Sequence, residues 1–178
     1  MTPEFECKNC GTCCSQIPLI VAGDVYHIIR HVKVRPEEIV HLYEMDDFEE
    51  DFAPDDQLLQ MENGVRVMGM KRVDDRCVFR TNGRCAIYAH RPLMCAMHPY
   101  MPRDPNEDVL EFNVQCHHGC KGLTKGPMSL EHLKRFRLAF DRFSEREWDY
   151  DDMVKRWNRK DRKDRSERAF FKFLGLIE

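Results

Sequence analysis

Cys7-Lys8-Asn9-Cys10-Gly11-Thr12-Cys13-Cys14 sets three thiols at two-residue intervals and ends on an adjacent pair. Further on, Cys77-Val78-Phe79-Arg80-Thr81-Asn82-Gly83-Arg84-Cys85 and Ala86-Ile87-Tyr88-Ala89-His90-Arg91-Pro92-Leu93-Met94-Cys95 add three more, and Cys116-His117-His118-Gly119-Cys120 closes the series. A short loop with thiolates at such intervals can wrap one metal centre while its backbone N–H groups bond the sulfurs, and Gly11 supplies the backbone freedom that wrapping needs. Between Cys77 and Cys85 the Asn82-Gly83 pair is a turn signal that returns the second sulfur toward the first, and Pro92 starts a new helical turn that projects Cys95 to the same place. A fold organised around a thiolate site is the expectation.

All nine cysteines fall between Cys7 and Cys120, and the last 58 of the 178 residues contain none. This change in composition divides the chain into a cysteine-cluster region, 1–120, and a helical extension, 121–178. The charge divides in the same place. Residues 1–120 carry 12 Lys and Arg against 20 Asp and Glu, and residues 121–178 carry 16 against 11. A tail of mixed sign with helical periodicity reads as a solvated helix face, which argues against nucleic acid as a partner. The opening residues lack a basic segment followed by an apolar one, and no apolar run approaches the ~18 residues of a membrane span. A cytoplasmic protein without a membrane span is therefore expected. In that reducing setting clustered cysteines serve metals or redox chemistry more often than disulfides.

Asp24 is placed as the N-cap of a helix bearing Val25, Ile28, Ile29 and Val32, and Pro36 as the first residue of a second, whose Ile39, Val40, Leu42 and Tyr43 pack inward. The segment from Asp46 to Asp56 reads as a loop. Leu58–Met61 and Val65–Met70 flank Glu62-Asn63-Gly64 as a β-hairpin, and a strand is expected at Val109–Val114. In the tail, Ser129 caps a helix with Leu130, Leu133, Phe136, Phe140 and Phe143 on one stripe. Met153, Val154 and Trp157 suggest a second helix, and Ala169, Phe170, Phe173 and Leu174 a third. No internal repeat is evident. The fold class is α+β: a small irregular metal-centred region with short strands and helices, followed by helices.

Three cysteines at two-residue intervals match the start of bacterial ferredoxin loops, in which a distant cysteine completes an iron–sulfur cluster. Tetrahedral sulfur sites suit zinc as well. Cys13 and Cys14 point apart in most backbone conformations, so both sharing one centre is not assumed. Arg91 is a candidate cofactor-binding residue, because a guanidinium near an anionic thiolate cluster stabilises it and tunes its potential. The nine candidate metal ligands are Cys7, Cys10, Cys13, Cys14, Cys77, Cys85, Cys95, Cys116 and Cys120. His27 and His31 stand one helical turn apart but lack the intervening Glu of a zinc protease, and read as partly exposed helix residues. His117 and His118 are weaker ligand candidates. Phosphate-binding loops and nucleophile elbows are absent, which argues against nucleotide-dependent and hydrolase chemistry.

These residues resemble the YkgJ-type cysteine-cluster family, the zinc- or iron-chelating CxxCxxCC domain. The resemblance is carried by Cys7, Cys10, Cys13, Cys14, Cys77, Phe79, Gly83, Cys85, Ile87, Tyr88, Arg91, Pro92, Cys95 and Pro99. It departs from the family at Ala96-Met97-His98, where an Arg and an aromatic are usual; His98 either takes over the aromatic's packing or faces the site. The resemblance implies metal chelation, and its likeness to the cluster domain of flagellin lysine methylases implies methyl or group transfer as one reading. Two readings rest on the residues themselves. The first is an iron–sulfur protein, [4Fe–4S] favoured, in redox or electron transfer with a protein partner. The second is a zinc-stabilised protein-interaction module.

Overall fold

The computed structural model describes residues 3–8, 11–48, 57–102, 112–114 and 121–178. It has the expected α+β class. In chain order, strand β1 (Pro3–Phe5) and a 3-10 turn (Thr12–Ser15) precede helices α1 (Ala22–Val32) and α2 (Pro36–Ile39). Strands β2 (Val40–Tyr43), β3 (Leu59–Met61) and β4 (Gly64–Met70) form an antiparallel sheet of order β2-β4-β3. Two very short hairpins follow, β5 (Arg72–Val73) with β6 (Arg76–Cys77) and β7 (Arg80–Thr81) with β8 (Arg84–Cys85). Beyond them lie a 3-10 turn (Tyr88–His90), α3 (Leu93–Met97), and β9 (Tyr100–Pro102) paired with β10 (Phe112–Val114). Then come β11 (Leu123–Pro127), which pairs with β1, and helices α4 (Leu130–Trp157) and α5 (Glu167–Phe173).

The hairpin at Glu62-Asn63 forms as expected, with Met61 opposite Gly64. Pro36 opens α2 in the expected place, but the helix lasts four residues and Val40–Tyr43 leave it as β2. A β-branched Val suits the sheet edge, where Val40 pairs with Met70, and of the four strand residues His41 alone is exposed. Asp24 is not the cap of α1. The helix begins after Val21, and Asp24 lies in its first turn, 1% exposed. Of the expected strand at Val109–Val114, Phe112–Val114 is formed and the rest lies outside the described residues, as does most of the acidic segment before Gln57.

The tail is where the helix count differs most. Ser129 caps α4 as expected, its hydroxyl accepting from the His132 N–H, but α4 runs on for 28 residues, about 42 Å, through the two helices expected there. Buried Phe136, Phe140, Phe143, Tyr150, Val154 and Trp157 keep one face at three- and four-residue steps, and the step between Phe143 and Tyr150 falls on Glu147. That acidic residue breaks the apolar stripe in the sequence, yet in the fold it accepts a hydrogen bond from the buried Gln57 amide at 3.0 Å. Leu130, placed on the same stripe, is 67% exposed.

The two halves of α4 serve two apolar clusters. Phe136, Phe140 and Phe143 pack with Met97 and Tyr100, against the α3–β9 segment. Tyr150, Val154 and Trp157 join Phe170 and Phe171 of α5 and residues of α1 and the sheet, including Val25, Ile28, Leu59 and Met68. Between the halves, Arg146 Nη1 reaches Asp24 Oδ1 at 2.8 Å, and the same oxygen accepts from the Leu93 N–H at 3.3 Å. One carboxylate thus ties α1, α3 and α4 together. Burial raises the Asp24 pKa above its usual 3.8, against the opposing pull of Arg146.

Replacing Arg146 by Met leaves that carboxylate buried without its cation, and a urea titration at neutral pH should show a loss of up to about 3–5 kcal/mol. The raised folded-state pKa sets the sign of the pH dependence: stability from a protonated Asp24 is present at low pH and is lost as pH rises through the folded value. The deficit of Arg146→Met relative to the parent should therefore narrow on acidification, and Asp24→Leu combined with Arg146→Met should recover most of it. A deficit that is constant with pH and kept by the double variant would contradict this account.

Candidate metal centre

Cys77 and Cys85 arrive by the same local device, used twice. Arg72-Val73-Asp74-Asp75-Arg76-Cys77-Val78-Phe79 and Arg80-Thr81-Asn82-Gly83-Arg84-Cys85-Ala86-Ile87 are an eight-residue unit in tandem, a repeat too short and too altered to be noticed in the sequence. In each unit the two turn residues have positive φ, Asp74 at 49° and Asp75 at 56°, Asn82 at 50° and Gly83 at 75°. This is the type I′ geometry that matches strand twist in two-residue hairpins. Asn82-Gly83 announces it; Asp74-Asp75 does so only weakly, through the tolerance of Asp for left-handed backbone. Each unit closes alike, the Val78 N–H on the Lys71 carbonyl at 3.0 Å and the Ala86 N–H on the Phe79 carbonyl at 2.9 Å. Each cysteine sulfur then accepts the N–H of the residue two further on, Phe79 for Cys77 and Ile87 for Cys85. Phe79 and Ile87 are buried, so the core anchors the donors.

The first cysteine run folds over the second hairpin. Gly11 has φ of 82°, and a Cβ on it would lie 2.1 Å from the Arg80 guanidinium carbon. The left-handed backbone favours glycine here, and the Arg80 guanidinium lies where a side chain would start. The Cys14 N–H closes the following turn on the Gly11 carbonyl at 2.9 Å. On that 3-10 turn the adjacent Cys13 and Cys14 do reach the same place. Their thiols are hydrogen-bonded, and Arg80 donates a second bond to Cys14. The hydrogen bond from Cys13, and after it Arg80, draws the Cys14 pKa down to about 6, whereas the Cys13 thiol is pushed up. Pro92 precedes α3 as expected, and α3 carries Cys95, whose thiol burial pushes well up.

Cys7, Cys13, Cys14, Cys77, Cys85 and Cys95 all line one cavity of about 640 Å³, and none of the six is in a disulfide. Cys10, Cys116 and Cys120, with His117 and His118, lie outside the described residues. Arg91 lines the cavity too and its charge favours the Cys85 thiolate, but its hydrogen bond goes to the Tyr88 carbonyl at 2.6 Å and its guanidinium lies 3.8 Å over the Tyr88 ring. The guanidinium that bonds a cysteine sulfur is Arg80, which the motif reading passed over. His98 has both roles considered for it, meeting Phe5 edge-on at 6.3 Å and lining the cavity.

The donor set suits a thiophilic metal. The described residues offer six thiols outside any disulfide from three chain segments, backbone N–H groups already aimed at two sulfurs, and two guanidinium groups, Arg80 and Arg91, to offset thiolate charge. Fold and cavity thus define an α+β protein built around a cysteine-lined pocket. The chain belongs to the CxxCxxCC family, described as "Putative zinc- or iron-chelating domain", whose model matches residues 6–121. That match supports metal binding by this region. The chain is also similar to an uncharacterized protein of Methanocaldococcus jannaschii, 25% identical over 130 residues covering 71% of this chain. It spans 62% of that relative's length. No solved structure matches.

Site-resolved alkylation of the metal-free protein should reveal Cys14 as a reactive thiol at neutral pH. Arg80→Gln should move its alkylation midpoint upward, and Cys13→Ala should move it upward further, since the Cys13 bond is the larger cause. An unchanged midpoint in both variants would contradict the described contacts.

Proposed function

We propose that the cysteine cavity holds an iron–sulfur centre, [4Fe–4S] in type, with its ligands drawn from the nine cysteines, and that the protein exchanges electrons with a protein partner. The observation that carries this reading is the gathering of six reduced thiols around one cavity. A single tetrahedral zinc and a single [4Fe–4S] cluster each use four thiolates, so six exceed the need of either; the two-residue spacing of Cys7, Cys10 and Cys13, as at the start of ferredoxin loops, is what favours iron–sulfur. The N–H···S bonds at Cys77 and Cys85 and the Arg80 guanidinium are the kinds of contact that set the potential of such a centre. Cysteines outside any disulfide among the described residues also accord with a reducing, cytoplasmic setting. When bound, the cluster supplies one-electron chemistry; the chain's own residues ligate it, orient its sulfurs and offset its charge.

The tandem hairpins favour a second reading, a zinc-stabilised interaction module. Each presents a cysteine from a tight turn with its sulfur held by backbone N–H, an arrangement that serves zinc equally.

Protein purified without oxygen decides between them by its iron, acid-labile sulfide and zinc content. Brown protein with stoichiometric iron and sulfide, and absorption that bleaches on reduction, is expected; Cys95→Ser or the pair Cys77→Ser and Cys85→Ser should lower the iron content severely. Colourless protein with stoichiometric zinc and no redox couple would establish the second reading instead.

A further inference from the structure

Outside the cysteine cavity, three imidazoles meet. His27 and His31 occupy successive turns of α1, and His90 ends the 3-10 turn that packs against that helix. One ring nitrogen of each lies within 4.8 Å of those of the other two. The ring centroids are 4.4 Å apart for His27 and His31, 4.6 Å for His31 and His90, and 5.4 Å for His27 and His90. In the sequence His27 and His31 read as partly exposed helix residues without the intervening Glu of a zinc protease; the third member lies 59 positions beyond His31.

Two features of this cluster are those of a metal site rather than of stacked surface rings. His31 Nδ1 lies 2.8 Å from the His27 carbonyl, and opposite a carbonyl it can only donate. That bond places the proton on Nδ1 and leaves the Nε2 lone pair free, as a backbone carbonyl does behind many metal-bound histidines. The other feature is a distance. His27 Nε2 and His90 Nδ1 are 3.4 Å apart. A tetrahedral zinc with Zn–N bonds of about 2.0–2.1 Å sets its nitrogens about 3.3–3.4 Å from one another. Two donors are therefore already spaced as ligands, and a ring nitrogen of His31 lies within 4.8 Å of both His27 and His90 donors. Two cations stand nearby on α4, Arg142 and Arg146; the second is neutralised by Asp24. Burial, and next to it His31, lowers the His27 pKa, which favours the unprotonated ring.

We infer that His27, His31 and His90 form a second metal site, separate from the thiols, which binds one divalent first-row transition ion such as zinc through three imidazole nitrogens. Nitrogen donors of this kind suit zinc, nickel and copper over magnesium or calcium. Three protein ligands leave a coordination position open, as in zinc sites that take water or an exogenous ligand, and the exposure of His31 turns that position to solvent. The ion clamps α1 to the segment between Cys85 and Cys95, since His90 lies five residues from each.

The test uses the protein with its cysteine-bound metal in place, stripped of loosely held ions, and titrated with zinc in a calorimeter and with cobalt in a spectrophotometer. One further equivalent is expected, with cobalt d–d bands and no sulfur-to-cobalt charge transfer. His31→Gln and His90→Gln should each weaken it by at least about tenfold without changing the cysteine-bound metal content. His41→Gln, at an exposed histidine on β2 that meets Tyr43 edge-on, should leave it intact. The absence of a further equivalent, its persistence in both His31→Gln and His90→Gln, or a thiolate charge-transfer band on the added cobalt would each overturn the inference.

Discussion

The buried Asp24 carboxylate is the point on which the arrangement turns. A charge at 1% exposure is tolerated only when it is bonded, and its Oδ1 takes both the Arg146 guanidinium and the Leu93 N–H. Leu93 opens the helix that carries Cys95, Arg146 is the middle of α4, and Asp24 itself is one turn before His27. The cysteine cavity and the histidine cluster are consequently fixed to the same node. Its second oxygen, Oδ2, has no hydrogen-bond partner among the described residues, and burial of the carboxyl pulls its pKa upward against Arg146.

Around that node the structure separates two kinds of support. Apolar packing is supplied by α4, whose two halves reach clusters on either side of the polar middle formed by Arg146 and Glu147. The thiols are held by local backbone geometry instead. Two consecutive type I′ hairpins deliver Cys77 and Cys85 with an N–H already on each sulfur, and a glycine-dependent turn lays Cys13 and Cys14 against the second hairpin. Hairpins of two residue pairs have little stability alone. They are held because Phe79 and Ile87, at the end of each repeat, are anchored in the main core.

This division explains why thiol chemistry differs from place to place in a single cavity. Cys14 sits beside a donor thiol and a guanidinium, and its anion is favoured. Cys95 is enclosed on α3 with neighbouring sulfurs and Asp24, and its neutral form is favoured. A centre bound here would displace protons of unequal acidity, and that inequality is set by the surroundings rather than by the cysteines.

The α+β class, the Asn82-Gly83 turn, the Ser129 cap and the cysteine segments were legible in the sequence, because turn chemistry, capping and ligand spacing act over a few residues. The continuity of α4 was not legible, since Glu147 interrupts its apolar stripe and its partner, the buried Gln57 amide, comes from a distant segment. Nor was Asp24's role, because a short polar residue ahead of an apolar periodicity has the pattern of a cap, and its partners lie on α3 and α4. The nearness of Arg80 to Cys14 and of His90 to His27 and His31 was decided by tertiary structure alone. In each case the partners come from separated segments, and local spacing carries no information about contacts that form only when the core brings those segments together.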